Sequence, residues 1–574
     1  MNRIERIRCF VDRNGIGNTI ARVMKYASPG YRRYHIYRDR RYRAYARNNV
    51  LSEAEKCRQR ETDFAYKPWF SILVPLYDTD QTFLEELIKS VKEQTYVNWE
   101  LCFSDGSKDK NRLSNILKPY IDSDDRIKLV NKLEGPLGIS SNTNQAYSIM
   151  TGDYVVLGDH DDLFTPDALF ECAKALNDDN TIDVIYTDED KTDSKGRERF
   201  NPNYKSDFNI DEIGCCNYIT HMFVVKNSLV SKVGLLKEEF NGAQDYDFIL
   251  RVTEQAENIC HIPRVLYNWR VNETSTAGNA GNKLYAYTAG ANALQEHYDR
   301  LGLPVKVSQS ENPGFYNPVY DLSDEPLLSV IFLPPENSIE ASLLVSSAKC
   351  IKEGSYKNIQ LILPEGFETE SGDINIDRSR NESYVNQTLE RAEGDYILLL
   401  DPRAYLHSEN AISDMLGILH RRNDVGAVGP KIFDGNGYFR HAGVIYQKGA
   451  MPCSEYFIYE KHDDTLIKYK DYTGLREFVF MTKKKLLLEA GGLSTEYENY
   501  SYSIMDYCLK LRDRGVLSVY NGTNLFGYAT KGAKKKWTDE DIESLGRDRS
   551  RFARKWKKLL SDGDPYYPLS KHKD

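Results

Sequence analysis

The sequence predicts an α/β chain made of two tandem copies of one mostly parallel sheet, with helical segments at both ends. Three observations predict it. From Trp69 onward, apolar strand-like runs alternate with amphipathic helical runs, the pattern of a parallel sheet covered by helices on both faces. The order of those runs repeats after Pro326. At 574 residues the chain is also too long for a single core, so several domains are expected.

Residues 1–67 read as a basic helical segment. Ile4, Ile7, Phe10 and Val11 share one helical face, as do Ile20, Val23, Met24 and Ala27. Residues 1–60 carry 14 Arg and 2 Lys against 5 acids, a balance of +11, which leaves −20 for the rest of a chain whose total is −9. Such an arm suits attraction to anionic lipid headgroups, at ~1 kcal/mol per basic residue near the surface. It suits docking on the chain's own acidic body equally well. The acidic body argues against nucleic acid as a partner, because a basic face is the usual footprint there. Ten scattered cysteines without a CxxC pair indicate a reducing compartment. No apolar run approaches the ~20 residues that span a bilayer, and no signal-peptide pattern opens the chain. The expected localisation is cytoplasmic, with the arm able to hold the chain at the membrane's cytoplasmic face.

Residues 68–310 form the first expected α/β domain. Its strands are FSILVPLY, WELCFS, RIKLV and YVVL, with TFLEELIKSVKEQ and the stretch around Asn142 to Ile149 as helices. In such sheets ligands gather beyond the carboxyl ends of the strands, so polar residues directly after strands are candidates. Pro75, Tyr77 and Asp78 follow the first strand, and Ser104-Asp105-Gly106-Ser107 the second. A carboxylate and hydroxyls at neighbouring strand ends can bind a base and a ribose, although Asp-Gly-Ser is also an ordinary turn. The third strand end carries Asp159, Asp161 and Asp162, three carboxylates in four residues. Charges so close repel unless a cation neutralises them. Mg2+ or Mn2+ takes oxygen ligands and bridges phosphate oxygens, so this cluster reads as a metal–diphosphate site. Asp245 opens the helix FILRVTEQ, where a carboxylate is stabilised at the positive helix end. It can serve as a general base or as a plain cap. His261 is a candidate late metal ligand, with a structural histidine as the alternative. The loop Asn272 to Gly278 is rich in hydroxyls and suits closure over a diphosphate.

After a connector at residues 311–325, residues 326–531 repeat the order of the first block. AEGDYILLLD, GGLSTEY and DYCLKLRDRG answer MTGDYVVLGD, VGLLKEEF and DYDFILRV. Here Asp401 is followed by Arg403, whose guanidinium repels a divalent cation. A basic helical tail, residues 532–574, closes the chain.

With these motifs assembled, the sequence resembles family 2 glycosyltransferases of the GT-A fold, and more narrowly the bacterial rhamnosyltransferase/O-antigen type. The matching stretches are FSILVPLYDT, SVKEQTYVNWELCFSDGS, DDRIKLV, GISSNTNQAYSIMTGDYVVLGDHDDLFTPDAL, VIYTDEDK, GAQDYDFILR and HIPRVLYNWR, in family order. The resemblance implies that Pro75, Tyr77, Asp78 and Asp105 line the nucleotide pocket, and that Asp159 and Asp161 form the metal motif with Asp162 beside it. It further implies that Asp245 is the catalytic base, that Trp269, Arg270 and Ser275 help hold diphosphate and acceptor, and that Asp188, Glu189 and Asp190 lie near the donor sugar. The implied reaction is a metal-dependent transfer with inversion from a UDP- or dTDP-sugar, working in polysaccharide or glycoconjugate assembly. The acceptor would be a glycan, a lipid-linked glycan or a glycoprotein. In the second block Ile504 stands where the family carries the base, so that block reads as a silent GT-A-like domain. A non-catalytic glycan-binding scaffold is the alternative of another class, and the complete acidic set of the first block argues against it.

Overall fold

A computed structural model describes residues 40–48, 50–131, 136–271, 284–367, 374–376, 383–434, 439–446, 452–454, 469–529 and 538–567. The first sheet consists of β1 (Phe70–Leu76), β2 (Trp99–Asp105), β3 (Ile127–Val130), β4 (Tyr154–Leu157), β5 (Leu163–Phe164), β6 (Val184–Thr192), β7 (Arg199–Asn203), β8 (Phe223–Lys226) and β9 (Ile259–Arg270). Their order is β3-β2-β1-β4-β8-β6-β9-β5, with β7 added to β6. β1 and β2 are buried at every residue, as continuous apolar runs must be when helices cover both faces. The helix Gln81–Lys92 supplies part of that cover. Asp80 caps it by accepting from the backbone of Thr82 and Phe83, and it buries Leu84, Leu87, Ile88 and Val91. β1 is parallel to β2 and β4, whereas β8 runs antiparallel to β4. The start of β8 therefore lies at the same edge as the ends of β1, β2 and β4.

The same path is traced a second time by Ile374–Ile376, Ile359–Pro364, Leu328–Phe332, Tyr396–Leu400, Val479–Lys483, Val425–Asp434, Leu517–Tyr528 and Ala404–Leu406. Directions match too. Tyr396–Leu400 is parallel to Leu328–Phe332 and antiparallel to Val479–Lys483, as β4 is to β1 and β8. The repeat visible in the sequence is a duplication of one fold.

The two sheets share a core. Phe248, Tyr316, Tyr320, Ile412 and Leu416 belong to one buried apolar cluster. The expected connector, residues 311–325, is correspondingly not a free tether. Tyr316–Tyr320 pairs antiparallel with Val305–Gln309, and Tyr316 N donates to Cys215 O. Alternating tyrosines explain the departure, because Tyr316 and Tyr320 share one strand face and bury it. Polar groups complete the interface. Arg422 pairs with Asp211 (2.5 Å) and Asp424 (2.6 Å), and Asn209 exchanges hydrogen bonds with the backbone of Asp471.

The basic arm docks on the body where it is described. Within the helix over 40–48, Tyr42 donates to Asp190 (2.6 Å) and Arg43 pairs with Glu198 (2.9 Å). The amphipathic faces between Ile4 and Ala27 lie outside the described residues. Among the described residues no helix is long and apolar enough to cross a membrane.

The C-terminal tail forms the helices Asp539–Lys555 and Lys557–Asp562 and then anchors through buried Asp564, which accepts from Tyr446 N and Tyr566 N. Burial pushes the Asp564 carboxyl up to about 6. A raised acid favours the folded state in its protonated form. Its stabilising effect is complete below the ordinary carboxyl range and is lost as pH rises through about 6, amounting to at most about 3 kcal/mol. Asp564→Asn should therefore gain stability relative to the parent between pH 4 and 7. Urea unfolding midpoints across that range check it, and a pH-independent difference would remove Asp564 as the cause.

Candidate active site

The edge formed by the ends of β1, β2 and β4 gathers most of the expected residues. Pro75 lies buried in β1 opposite Ser104 of β2. Tyr77 and Asp78 follow on the exposed rim, and Asp78 N donates to Ser107 Oγ (2.8 Å). Asp105 is fully buried. Its Oδ1 accepts from Ser107 N (2.9 Å), while its Oδ2 has no hydrogen-bond partner among the described residues. A buried acceptor left open in this way suits an N–H donor on a ligand such as a base. Asn142 ties the two strand ends together, donating to Leu76 O (2.8 Å) and accepting from Ser104 Oγ (2.5 Å).

Next to this rim, Asp159, Asp162 and His221 place one ligand atom each within 4.8 Å of one another. Asp162 N bonds back to Asp159 O (3.3 Å), so the turn after β4 brings Asp162 beside Asp159. Asp162 is fully buried, and it accepts from Tyr267 OH (2.7 Å) and Arg270 N (2.7 Å). Burial first, then the charges of Asp159 and Asp161, push its carboxyl well above the usual range. Asp159 is more open, with a 42% exposed side chain, and His221 Nε2 lies 3.5 Å from its Oδ2. The His221 ring stacks on Tyr267 at 4.7 Å and meets Trp269 edge-on at 5.9 Å, which locks its direction. Two carboxylates and one imidazole form a donor set that a Mn2+ or Mg2+ ion fits through its oxygens, with the nitrogen as a third ligand.

Asp245 opens the helix Gln244–Thr253 and accepts from Asn217 Nδ2 (2.8 Å). Burial raises its carboxyl, and Asp159 adds to this, while His221 and the backbone N–H groups oppose it. The candidate base thus feels two of the three groups of the cation site, Asp159 and His221. Both Asn217 and His221 belong to the chain from 205 to 221, which is held at several points. Fully buried Lys205 donates through Nζ to Ile219 O (2.5 Å) and to His221 O. Glu189 accepts from Thr220 Oγ1 (2.9 Å) and His221 N (3.1 Å). Asp207 N reaches Pro565 O in the tail (2.8 Å), and Asn209 and Asp211 engage the second repeat.

Four expected residues are placed as follows. Asp161 is not a member of the group formed by Asp159, Asp162 and His221. His261 is absent as well. Its Nε2 bonds to Asp188 (2.9 Å) and its Nδ1 to Asp207 (3.3 Å), and against the lowering effect of burial these carboxylates raise its pKa. Arg270 is fully buried. It pairs with Glu86 (2.7 Å), donates to Asp161 O (2.6 Å) and lies over the Phe83 ring at 4.6 Å, so it braces the acidic turn from behind. Asp188 is likewise interior, holding His261 and Lys205 N. Trp269 does border the cleft, against His221, and Ser275 lies outside the described residues. The residue that sequence reasoning missed is His221. Its signal was present but inverted, since β8 is antiparallel and the residue before the strand faces the site.

Removing Arg270 leaves the turn's buried acids without their brace. Arg270→Ala should cost about 1–3 kcal/mol of unfolding free energy, the range for leaving buried polar groups such as Asp161 O without their partner. Chemical denaturation checks this, and a variant as stable as the parent would show the brace to be unimportant.

Residues 71–234 match the model of glycosyl transferase family 2, a span that includes Asp105, Asp159, Asp162 and His221. The Sinorhizobium fredii protein y4gI is 30% identical over 525 residues, covering 87% of this chain and 57% of its own length. The O-antigen biosynthesis protein RfbC of Myxococcus xanthus is 28% identical over 395 residues, covering 66% of this chain and 30% of its own. The chain thus spans less than two thirds of the length of either relative. Among solved structures, residues 1–349 of S. aureus TarS in complex with UDP align at a TM-score of 0.30 and 18% identity, over 40% of this chain and 72% of that one. The mannosyltransferase PcManGT from Pyrobaculum calidifontis in complex with GDP-Man and Mn2+ aligns at 0.31 and 17% identity, over 43% of this chain and 70% of that one. The family 2 match thus falls within the first of the two repeats and ends before Asp245.

Proposed function

We propose that the first repeat transfers a sugar, with inversion, from a UDP- or dTDP-linked donor to an acceptor hydroxyl. The observation that carries this reading is the meeting of Asp159, Asp162 and His221 with Asp245 at one sheet edge, beside the open acceptor of Asp105. Asp105, Asp78 and Tyr77 would hold the nucleoside. Asp159, Asp162 and His221 would hold a divalent cation, Mn2+ or Mg2+, which when bound supplies positive charge opposite the diphosphate. Asp245 takes the proton of the acceptor hydroxyl as its oxygen bonds to the anomeric carbon. The bond from that carbon to the nucleoside diphosphate breaks on the opposite face, and its electron pair leaves with the diphosphate. Asn217 keeps the Asp245 carboxylate in place through its hydrogen bond.

The biological setting we infer is surface polysaccharide or glycoconjugate assembly, with a lipid-linked glycan acceptor at the cytoplasmic membrane face. The similarity to an O-antigen biosynthesis protein and the basic residues 1–60 support it. A glycoprotein acceptor is separated from this by the acceptor used.

A panel of nucleotide sugars with purified protein and Mn2+, read as nucleoside diphosphate release, tests the chemistry. One donor should turn over. Asp245→Asn should cost about 10²–10⁴ in kcat, the usual contribution of a general base. His221→Ala should raise the Mn2+ concentration needed for half-maximal rate. Failure of every donor with folded protein would defeat the proposal.

A further inference from the structure

The second repeat keeps a large cleft at the place where the first keeps its site. About 1250 Å³ of space opens at the carboxyl ends of its strands, where Leu333 and Pro334 follow Leu328–Phe332 and Asp401 to Arg403 follow Tyr396–Leu400. This exceeds the ~300–1,000 Å³ of ordinary small-molecule pockets. The helix Asp539–Lys555 supplies one wall through Glu540, Asp541 and Leu545.

The chemistry of the lining differs from that of the first repeat. Where the first repeat gathers Asp159, Asp162 and His221, Arg403 forms a fork on Asp401, with Nε 2.9 Å from Oδ1 and the terminal nitrogen 2.8 Å from Oδ2. Glu340 lies 3.6 Å from the same guanidinium, and the Tyr528 ring lies beneath it at 4.9 Å. The place of a metal is thus filled by a cation already neutralised. At the position given to the base stands Ile504, buried at 1% exposure. Among the described residues the lining carries three arginines against seven carboxylates. Arg403, already forked onto Asp401, has little charge left to offer a diphosphate. What remains suits uncharged, hydroxyl-rich ligands. Half-buried Tyr500 and Phe478 offer ring faces, and Arg476 Nε and Glu477 Oε2 are buried without hydrogen-bond partners among the described residues. Sugar hydroxyls donate and accept, so one ligand class satisfies both atoms.

We propose that the cleft of the second repeat is a non-catalytic binding site for a neutral oligosaccharide. At about 1250 Å³ the cleft has room for more than one sugar unit, and a neutral chain needs no metal there. The inference rests on the sugar-transfer reading only in naming this chain as an acceptor; binding itself does not require turnover.

Saturation-transfer NMR on the full chain, with maltohexaose, cellohexaose and chitohexaose as probes and no metal, tests it. At least one probe should receive transfer. Tyr500→Ala and the near-isosteric Glu477→Gln should each weaken its binding tenfold or more, with thermal melts confirming that both variants fold. Asp159→Asn should leave binding unchanged, and UDP should not displace the probe. Transfer to none of the three probes, transfer unaffected by both cleft variants, or displacement by metal-free UDP would each overturn the proposal. Binding retained in a chain that turns over no donor would remove the transferase reading and leave this one standing.

Discussion

Crowding of like charge at one edge of a parallel sheet is the constraint on which the first repeat is built. Asp159, Asp161, Asp162, Asp188, Glu189, Asp190 and Asp245 stand around the ends of β4 and β6 and the helix that faces them. Uncompensated charges in such surroundings are costly, so most are given partners from within the protein. Asp190 holds Arg199 at 2.6 Å, Asp188 holds His261 at 2.9 Å, and Glu189 lies 3.4 Å from Lys205. Those pairs are interior and structural. Asp159 and Asp162 instead lie with His221, which also acts on Asp245. The unbalanced negative charge is therefore concentrated where the cleft opens, which is where an exchangeable cation has the most to neutralise.

The same economy explains how the second repeat matters to the first. The chain from Lys205 to His221 leaves the sheet, passes along the inter-repeat interface and returns to the cleft. On the way Asn209 and Asp211 bond to Asp471 and Arg422, and Asp207 N bonds to Pro565. On its return it delivers Asn217 to Asp245 and His221 to Asp159. A segment that carries two site residues but no long regular element of its own needs outside support to hold a direction. The second sheet and the tail provide that support, through a buried apolar cluster that both repeats share.

Much of this was legible in the residues alone, and the misses have physical causes. Strand–helix alternation, full burial of runs such as FSILVPL, and the repeated order after Pro326 translate directly into two sheets of identical path. Acids after parallel strands were legible because strand ends face the cleft. Which of two adjacent acids turns inward was not, since Asp162 takes its place through one backbone turn rather than through spacing. His221 escaped because strand polarity is a tertiary property; only the pairing of β8 against β4 shows that its start faces the site. His261 and Arg270 were read outward because a cationic residue near acids looks like a ligand holder. Their partners, Asp188, Asp207 and Glu86, are far away in sequence and identify them as internal counter-ions. The tyrosines at 316 and 320 turned an apparent linker into a strand for a similar reason: their burial depends on an apolar cluster shared by both repeats.

Set side by side, the two repeats answer one electrostatic problem in two ways. Each ends the strand equivalent to β4 on a carboxylate, Asp159 in one and Asp401 in the other. In the second repeat the answer is permanent, because Arg403 is covalently part of the chain and is already paired with Asp401 and near Glu340. A permanent counter-ion cannot follow a leaving group, nor can it be recruited by an arriving one. In the first repeat Asp159, Asp162 and His221 would hold an exchangeable cation, which would supply positive charge that the protein does not fix in place. Coupling charge to turnover requires a partner that is not fixed. On the proposed reading, the duplicated sheet would support chemistry where the carboxylate at the end of the β4-type strand lacks a fixed counter-ion, and binding where Arg403 supplies one.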